Sequence, residues 1–346
     1  MKIKSERIRF ILLIAAAVIT LVFVTGCKKS GADIYIAGYE ELSDGSVVAV
    51  YWKNGEITVL SDSSSSVWAA SITAAGSDVY IAGLEATDQG RLQALYWKNG
   101  QKVTLSDGTN SAWASGIAVS GNDVYVTGRE MNSQGRFTAV YWKNGESSVL
   151  SEGPLSSMAN AVIVKGASTY IAGNDSNGQP AGVKAVYWKD GERIVLSDST
   201  GNAGVSAMVM SGNDLYISGN EDSKAVYWKN GVKTELTDGE TISVVNSIAV
   251  SGSDVYAAGN EVNDSGKTIA ISWKNGDKTV LTESANSGMA NAVAVNGADL
   301  YVVGRDTDAD NVHSAVYWKN GSKTVLPSSS NAVSATANAV FIASGK

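Results

Sequence analysis

The chain has 346 residues, 27 Lys+Arg against 34 Asp+Glu for a net charge of −7, one cysteine and one histidine. Such an acidic chain offers no basic face to nucleic acid or to an anionic lipid surface, so neither is expected as an electrostatic partner. One cysteine excludes an internal disulfide. One histidine excludes a His-rich metal centre and leaves a Ser-His-Asp triad a single base to use.

The first elements are an export pattern. Lys2, Lys4, Arg7 and Arg9 form a basic start, an apolar run follows from Phe10 to Val24, and Thr25-Gly26-Cys27 ends it. The run is shorter than the roughly 20 apolar residues of a membrane-spanning helix and fits the core of a signal peptide. The residues VTGC, Val24 to Cys27, resemble the lipobox of bacterial lipoprotein signal peptides. That resemblance implies removal of residues 1–26, acylation of the Cys27 thiol and new amino group, with palmitate among the lipids, and export to the cell envelope. Lys28 stands where an inner-membrane retention signal would have Asp, which favours the outer membrane in a diderm cell. Residues 27–32 then act as a lipid-anchored tether and 33–346 as the folded body. Loss of residues 1–26 removes four basic residues and only Glu6, so the mature chain is more acidic still.

From Asp33 onward the chain repeats. YWKNG occurs at Tyr51, Tyr96, Tyr141, Tyr227 and Tyr317, with YWKDG at Tyr187 and SWKNG at Ser272. The tryptophans stand at 52, 97, 142, 188, 228, 273 and 318, a period of 45 with one unit of 46 and one of 40. Periods of this length belong to solenoids and propellers. Each unit contains four segments rich in Val, Ile, Tyr and Trp and too short for helices; in the third they are Ser115–Gly121, Asp123–Gly128, Thr138–Gly145 and Ser147–Ser151. These read as strands. Asn144-Gly145 is a two-residue hairpin signal and SGND a second tight turn, so each unit is a four-stranded antiparallel sheet.

Strand residues alternate faces. Val140 and Trp142 point one way, Ala139 and Tyr141 the other, so both faces carry apolar bulk and both must be covered. A blade between two other blades satisfies that requirement. Lys143 is expected to pair with Asp123, and the same pair can be drawn as Asp33–Lys53, Asp78–Lys98, Asp214–Lys229, Asp254–Lys274 and Asp299–Lys319. These read as structural cross-strand pairs. Gly31–Gly38 has the pattern of a second strand without a first, and Ala337–Lys346 matches the first strand Ala290–Gly297. The expected fold is therefore all-β: a seven-bladed β-propeller closed by the C-terminal strand joining the N-terminal blade.

The unit, with Ala-Val-Tyr-Trp-Lys-Asn-Gly at its core, resembles the extracellular HAF-type repeats of bacteria and bacterial lipoproteins built from them. The resemblance covers residues 31–346 and implies architecture more than activity, because propellers host many unrelated functions. The Trp-Asp ending of WD repeats, the Asp-box of sialidases and the double glycine of kelch units are all absent from the sequence.

Two connections in each unit are tight and uniform. The other two, such as the stretches from Ser61 and from Glu85, vary and are expected on one face of the disc. Variable loops on a rigid scaffold are where binding residues concentrate. Three features mark that face. An acidic residue follows each second-strand glycine by two positions, Glu40, Glu85, Glu130, Asp175, Glu221, Glu261 and Asp306; these carboxylates either form a ring for cations or sugar hydroxyls or serve as local loop acceptors. Trp68 and Trp113, equivalent positions in adjacent units, either stack on a ligand or pack between blades. Asp306, Asp308 and Asp310 alternate like the start of a calcium loop, but the glycine at position six and the acid at position twelve are missing, so a solvated loop is expected.

Catalytic patterns are weak. There is no G-x-S-x-G, and Gly259–Thr268 imitates a phosphate loop with the wrong spacing between two strands. His313 is expected on an exposed loop. No cofactor is expected. The reading is a monomeric, lipid-anchored binding or interaction module for glycan or protein, with a polysaccharide-acting enzyme using paired carboxylates or a purely structural scaffold as alternatives.

Overall fold

The computed structural model describes residues 31–62, 64–151, 156–176, 182–197, 201–282 and 287–343. The export segment and Cys27 lie outside the described residues.

Seven antiparallel sheets of four strands form a ring. The first blade consists of Ala332–Ala343, Asp33–Leu42, Val47–Lys53 and Glu56–Val59, in that order from the axis outward. The strand from the far end of the chain thus completes the sheet begun near residue 33, with Ile36 opposite Val340 and Tyr35 opposite Phe341. This is the seven-bladed, strand-closed propeller expected from the repeat. The second blade runs Val67–Ala75, Asp78–Ala86, Leu92–Lys98, Gln101–Thr104, and the third Ala112–Ser120, Asp123–Met131, Phe137–Lys143, Glu146–Ser151.

The pentapeptide explains itself residue by residue in the third blade. Asn144 and Gly145 have φ of 52° and 89°, the left-handed pair of a type I′ hairpin. The Asn144 side chain accepts from the Val124 amide at 2.9 Å and donates to Asp123 at 2.8 Å. Lys143 pairs with the other oxygen of Asp123 at 3.0 Å and lies 5.2 Å from the Tyr125 ring centroid. All six expected Asp–Lys pairs are present, at 2.7–3.1 Å. The fourth blade has Ser168 in place of the aspartate, and there Lys189 lies 5.6 Å from the Tyr170 ring centroid.

The core is divided among the gaps between blades. Val140 and Trp142 of the third blade pack against Tyr80, Ala82 and Ala94 of the second. Ala139 and Tyr141, on the opposite face, meet Val186 and Trp188 of the fourth. All seven repeat tryptophans are at most 1% exposed. Burying each contributes on the order of 3 kcal/mol, and no blade can do so alone.

A bulge interrupts every inner strand. The extra residues are Ala70, Ser115, Asn160, Ser206, Asn246, Asn291 and Asn338, each falling between two register positions. The carbonyl two residues before the bulge residue lies over the second strand: a Cβ on Gly128 would fall 1.8 Å from the Trp113 oxygen, and one on Gly83 would fall 2.1 Å from that of Trp68. The glycine in each second strand is required by this approach.

Candidate functional site

The bulged residues line a cavity of about 270 Å³ on the ring axis. Where the bulge residue is asparagine, its Nδ2 donates to a main-chain carbonyl of the next blade. Asn160 bonds Val205, Asn246 bonds Ala290, Asn291 bonds Ala337 and Asn338 bonds Ala69, at 2.6–2.9 Å. Asn174 and Asn260 complete the grip by accepting from the amides of Val205 and Ala290. The sequence reading missed these latches, although Ala-Asn-Ala-Val recurs at Ala159, Ala290 and Ala337 and could have signalled them. They make the channel wall structural.

The variable loops adjoin on one face, as expected. The Ala86 amide donates to Ser66 and the Met131 amide to Ser111, joining each second-to-third loop to its incoming crossing.

The seven acidic residues sit at the upper edge of the blades, and six are engaged by the chain itself. Glu85 takes Ser65 and Lys102, both at 2.7 Å. Asp175 is fully buried and takes Ser151 at 2.6 Å, Ser157 at 3.0 Å and the Arg193 guanidinium. Glu221 pairs with Lys233 at 2.9 Å, Glu261 with Lys278 at 3.1 Å, and Asp306 with Lys323. Glu40, 0% exposed, accepts from the Ser329 amide at 3.0 Å and from its hydroxyl at 2.5 Å. Glu130 alone has no side-chain partner among the described residues. Burial, and secondarily the charge of Asp107, push its carboxyl above the usual range.

Trp68 and Trp113 both lie half-buried on inner strands, but their surroundings differ. The Trp113 ring meets Phe137 edge-on at 4.8 Å, and the Arg129 guanidinium sits 4.4 Å from the Trp113 centroid and 4.7 Å from that of Phe137. Burial lowers the Arg129 pKa. In the second blade the same three positions are Trp68, Leu84 and Leu92, so leucines stand where the third blade has the guanidinium and the second ring. By strand register Trp68 shares a blade face with Leu84 and Ala94, and Glu130 shares one with Ala112 and Gly128. Those faces form the two walls of one gap, because Ala94 and Ala112 belong to the same core layer. Trp68 and Glu130 therefore stand at the rim of the same gap.

The third feature is a turn. Asp308 accepts from the amides of Asp310 and Val312, both at 2.9 Å, and Asn311 has a φ of 62°. With Asp306 on Lys323, the three aspartates do not converge, and no cluster of three acidic, His or Cys side chains among the described residues is placed to hold a metal. His313 begins a strand, half-buried, with Nδ1 2.9 Å from the Thr307 hydroxyl. The sequence expectation of an exposed loop residue is thus corrected: the third strand of the last blade starts earlier than its apolar pattern suggests.

These features define a β-propeller in which, among the described residues, the tryptophans outside the repeat core and the carboxylate without a side-chain partner lie in the second and third blades. No family model and no curated protein matches the sequence. Among solved structures, the chain is similar to a puromycin hydrolase (S511A mutant, complexed with PGG), at 11% identity and a TM-score of 0.55, over 86% of this chain and 52% of that one. It is also similar to the acylaminoacyl peptidase of Pyrococcus horikoshii, at 12% identity and a TM-score of 0.51, over 86% of this chain and 50% of that one. The chain spans about half the length of these structures, and the likeness is one of fold.

Proposed function

We propose that this protein is a lipid-anchored binding module of the cell envelope, a monomer that takes a protein or glycan ligand on the long-loop face of its propeller. The lipobox pattern at Val24–Cys27 supports the anchor. One observation carries the binding reading: among the described residues, the tryptophans outside the repeat core and the one ring carboxylate without a side-chain partner all fall in the second and third blades. There the long-loop face presents Trp68, the Trp113–Arg129–Phe137 stack and the unpaired Glu130, while the other six carboxylates are bonded within the chain. A rigid ring with one irregular, partly apolar and partly charged sector is the arrangement a specific binder needs.

The test uses residues 28–346, which include every strand of the ring, on a glycan array and with cross-linking in native envelope, beside a Trp68→Ala variant. A ligand held by the parent and lost in the variant supports the reading. Equal binding by both places the site elsewhere. Turnover of a bound glycan would make the protein a polysaccharide-acting enzyme. For the anchor, Cys27→Ala in the full chain is expected to lose both palmitate label and membrane fractionation; retention of both would overturn it.

A further inference from the structure

The six answered carboxylates say what the seventh accepts. In five blades the second residue of the outer strand is a cation that reaches the ring carboxylate: Lys102, Arg193, Lys233, Lys278 and Lys323. Each is the cross-strand partner of its blade's buried tryptophan, as Lys102 is of Trp97. In the second blade Asp62, Glu85, Trp97 and Lys102 line one cavity of about 200 Å³. The second blade thus builds a socket of two carboxylates, an indole floor and a lysine stem, and its pairing of carboxylate, cation and indole recurs in four other blades.

The third blade keeps the residue types of this socket and lacks the stem. Asp107 corresponds to Asp62, Glu130 to Glu85 and Trp142 to Trp97. Opposite Trp142, however, stands Ser147, and Ala112 replaces the bulkier Val67. Both changes put a smaller side chain where the second blade has a larger one. Arg91, the cation on the neighbouring loop, gives its Nη1 to the Thr109 carbonyl. The first blade also lacks the cation, with Ile57 at that position, but Ser329 answers Glu40 there.

We propose that Glu130, Asp107 and Trp142 form a socket for a lysine side chain of a partner protein. The proposal rests on the long-loop face being the binding face. Lysine is favoured over other amines because four of the five internal occupants are lysines. A half-buried carboxylate near a second acid is stabilised in its charged form by an ammonium, and the partner gains a charge-assisted bond.

The experiment titrates the full chain, in nonionic detergent and with ¹³C-labelled glutamate, using Nα-acetyl-lysine amide and reading carboxyl resonances by NMR; Glu130→Gln assigns the signal. The expected result is a saturable shift of Glu130 at about millimolar ligand. It should be absent in Ser147→Lys, whose own ammonium fills the socket. Lys102→Ser should create a second responsive site at Glu85. No saturable shift, the same shift with sodium or glucosamine, or an unchanged response in Ser147→Lys would overturn the proposal. A ligand that needs Trp68 but leaves Glu130 unmoved would sink the socket alone. A lysine response at Glu130 in a protein for which no macromolecular ligand depends on Trp68 would sink the aromatic site and keep the socket.

Discussion

Asn338 donates its side-chain amide to the Ala69 carbonyl at 2.8 Å, tying the first blade to the second across the point where the two ends of the folded chain meet. Three other asparagines make the same bond between other blades, and Ala70, Ser115 and Ser206 leave it unmade. Asn338→Ala is therefore expected to lower stability by about 1 kcal/mol in urea unfolding. Ala70→Asn should raise it by a similar amount, because the new amide would meet the carbonyl of Ala114. A destabilising Ala70→Asn would refute the latch.

The close approach in the second strands separates two kinds of glycine. Gly128→Ala would drive a Cβ into the Trp113 carbonyl, and a loss of about 3 kcal/mol or more is expected. Gly121→Ala meets open space but has a φ of 59°, which costs roughly 1–2 kcal/mol. Chemical denaturation of both variants checks the order.

Arg129 lies against two aromatic rings. A double-mutant cycle of Arg129→Ala and Trp113→Ala should give a coupling of about 1–2 kcal/mol. A coupling near zero would mean that the guanidinium is held by other contacts and that the Trp113 face is available to a ligand.

Glu130 sets a pH dependence opposite in sign to that of the hairpin aspartates. Its carboxyl is raised above the ordinary value of 4.5, so the folded state holds its proton more tightly than the unfolded state. Its favourable contribution is full below the unfolded pKa and is lost as pH rises through the folded one. Glu130→Gln should therefore raise the melting temperature at neutral pH, with the gain vanishing below about pH 4. Asp123 is lowered by Asn144 and then Lys143. Its contribution is present above the ordinary carboxylate range and lost as pH falls, so Asp123→Asn should matter at neutral pH and not in strong acid.

Much of this architecture was legible in the chain. The 45-residue spacing of tryptophans gives the blade count, Asn-Gly gives the hairpins, and apolar residues on both strand faces require neighbours on both sides. The Asp–Lys pairs followed from hairpin register alone. The candidate site was legible only in part. The seven acidic positions could be counted, but whether a carboxylate is bonded depends on what stands across the outer hairpin and in the adjoining crossing. Ser147 opposite Trp142 is a small change in a variable strand, and it becomes informative only once Lys102 is seen on Glu85.

Local periodicity therefore determined the strands, turns and repeat number, because each depends on residues close in sequence and repeated often enough to average out exceptions, while the ring was legible from the likeness of the distant segment Ala337–Lys346 to the first strand Ala290–Gly297. Tertiary structure decided the rest. It placed Trp68 and Glu130 on one gap, covered Trp113 with Arg129, buried Glu40 and Asp175, and turned the channel asparagines into latches. Those outcomes depend on side chains meeting between separate strands and blades, where one substitution changes a partner without disturbing the pattern that builds the fold.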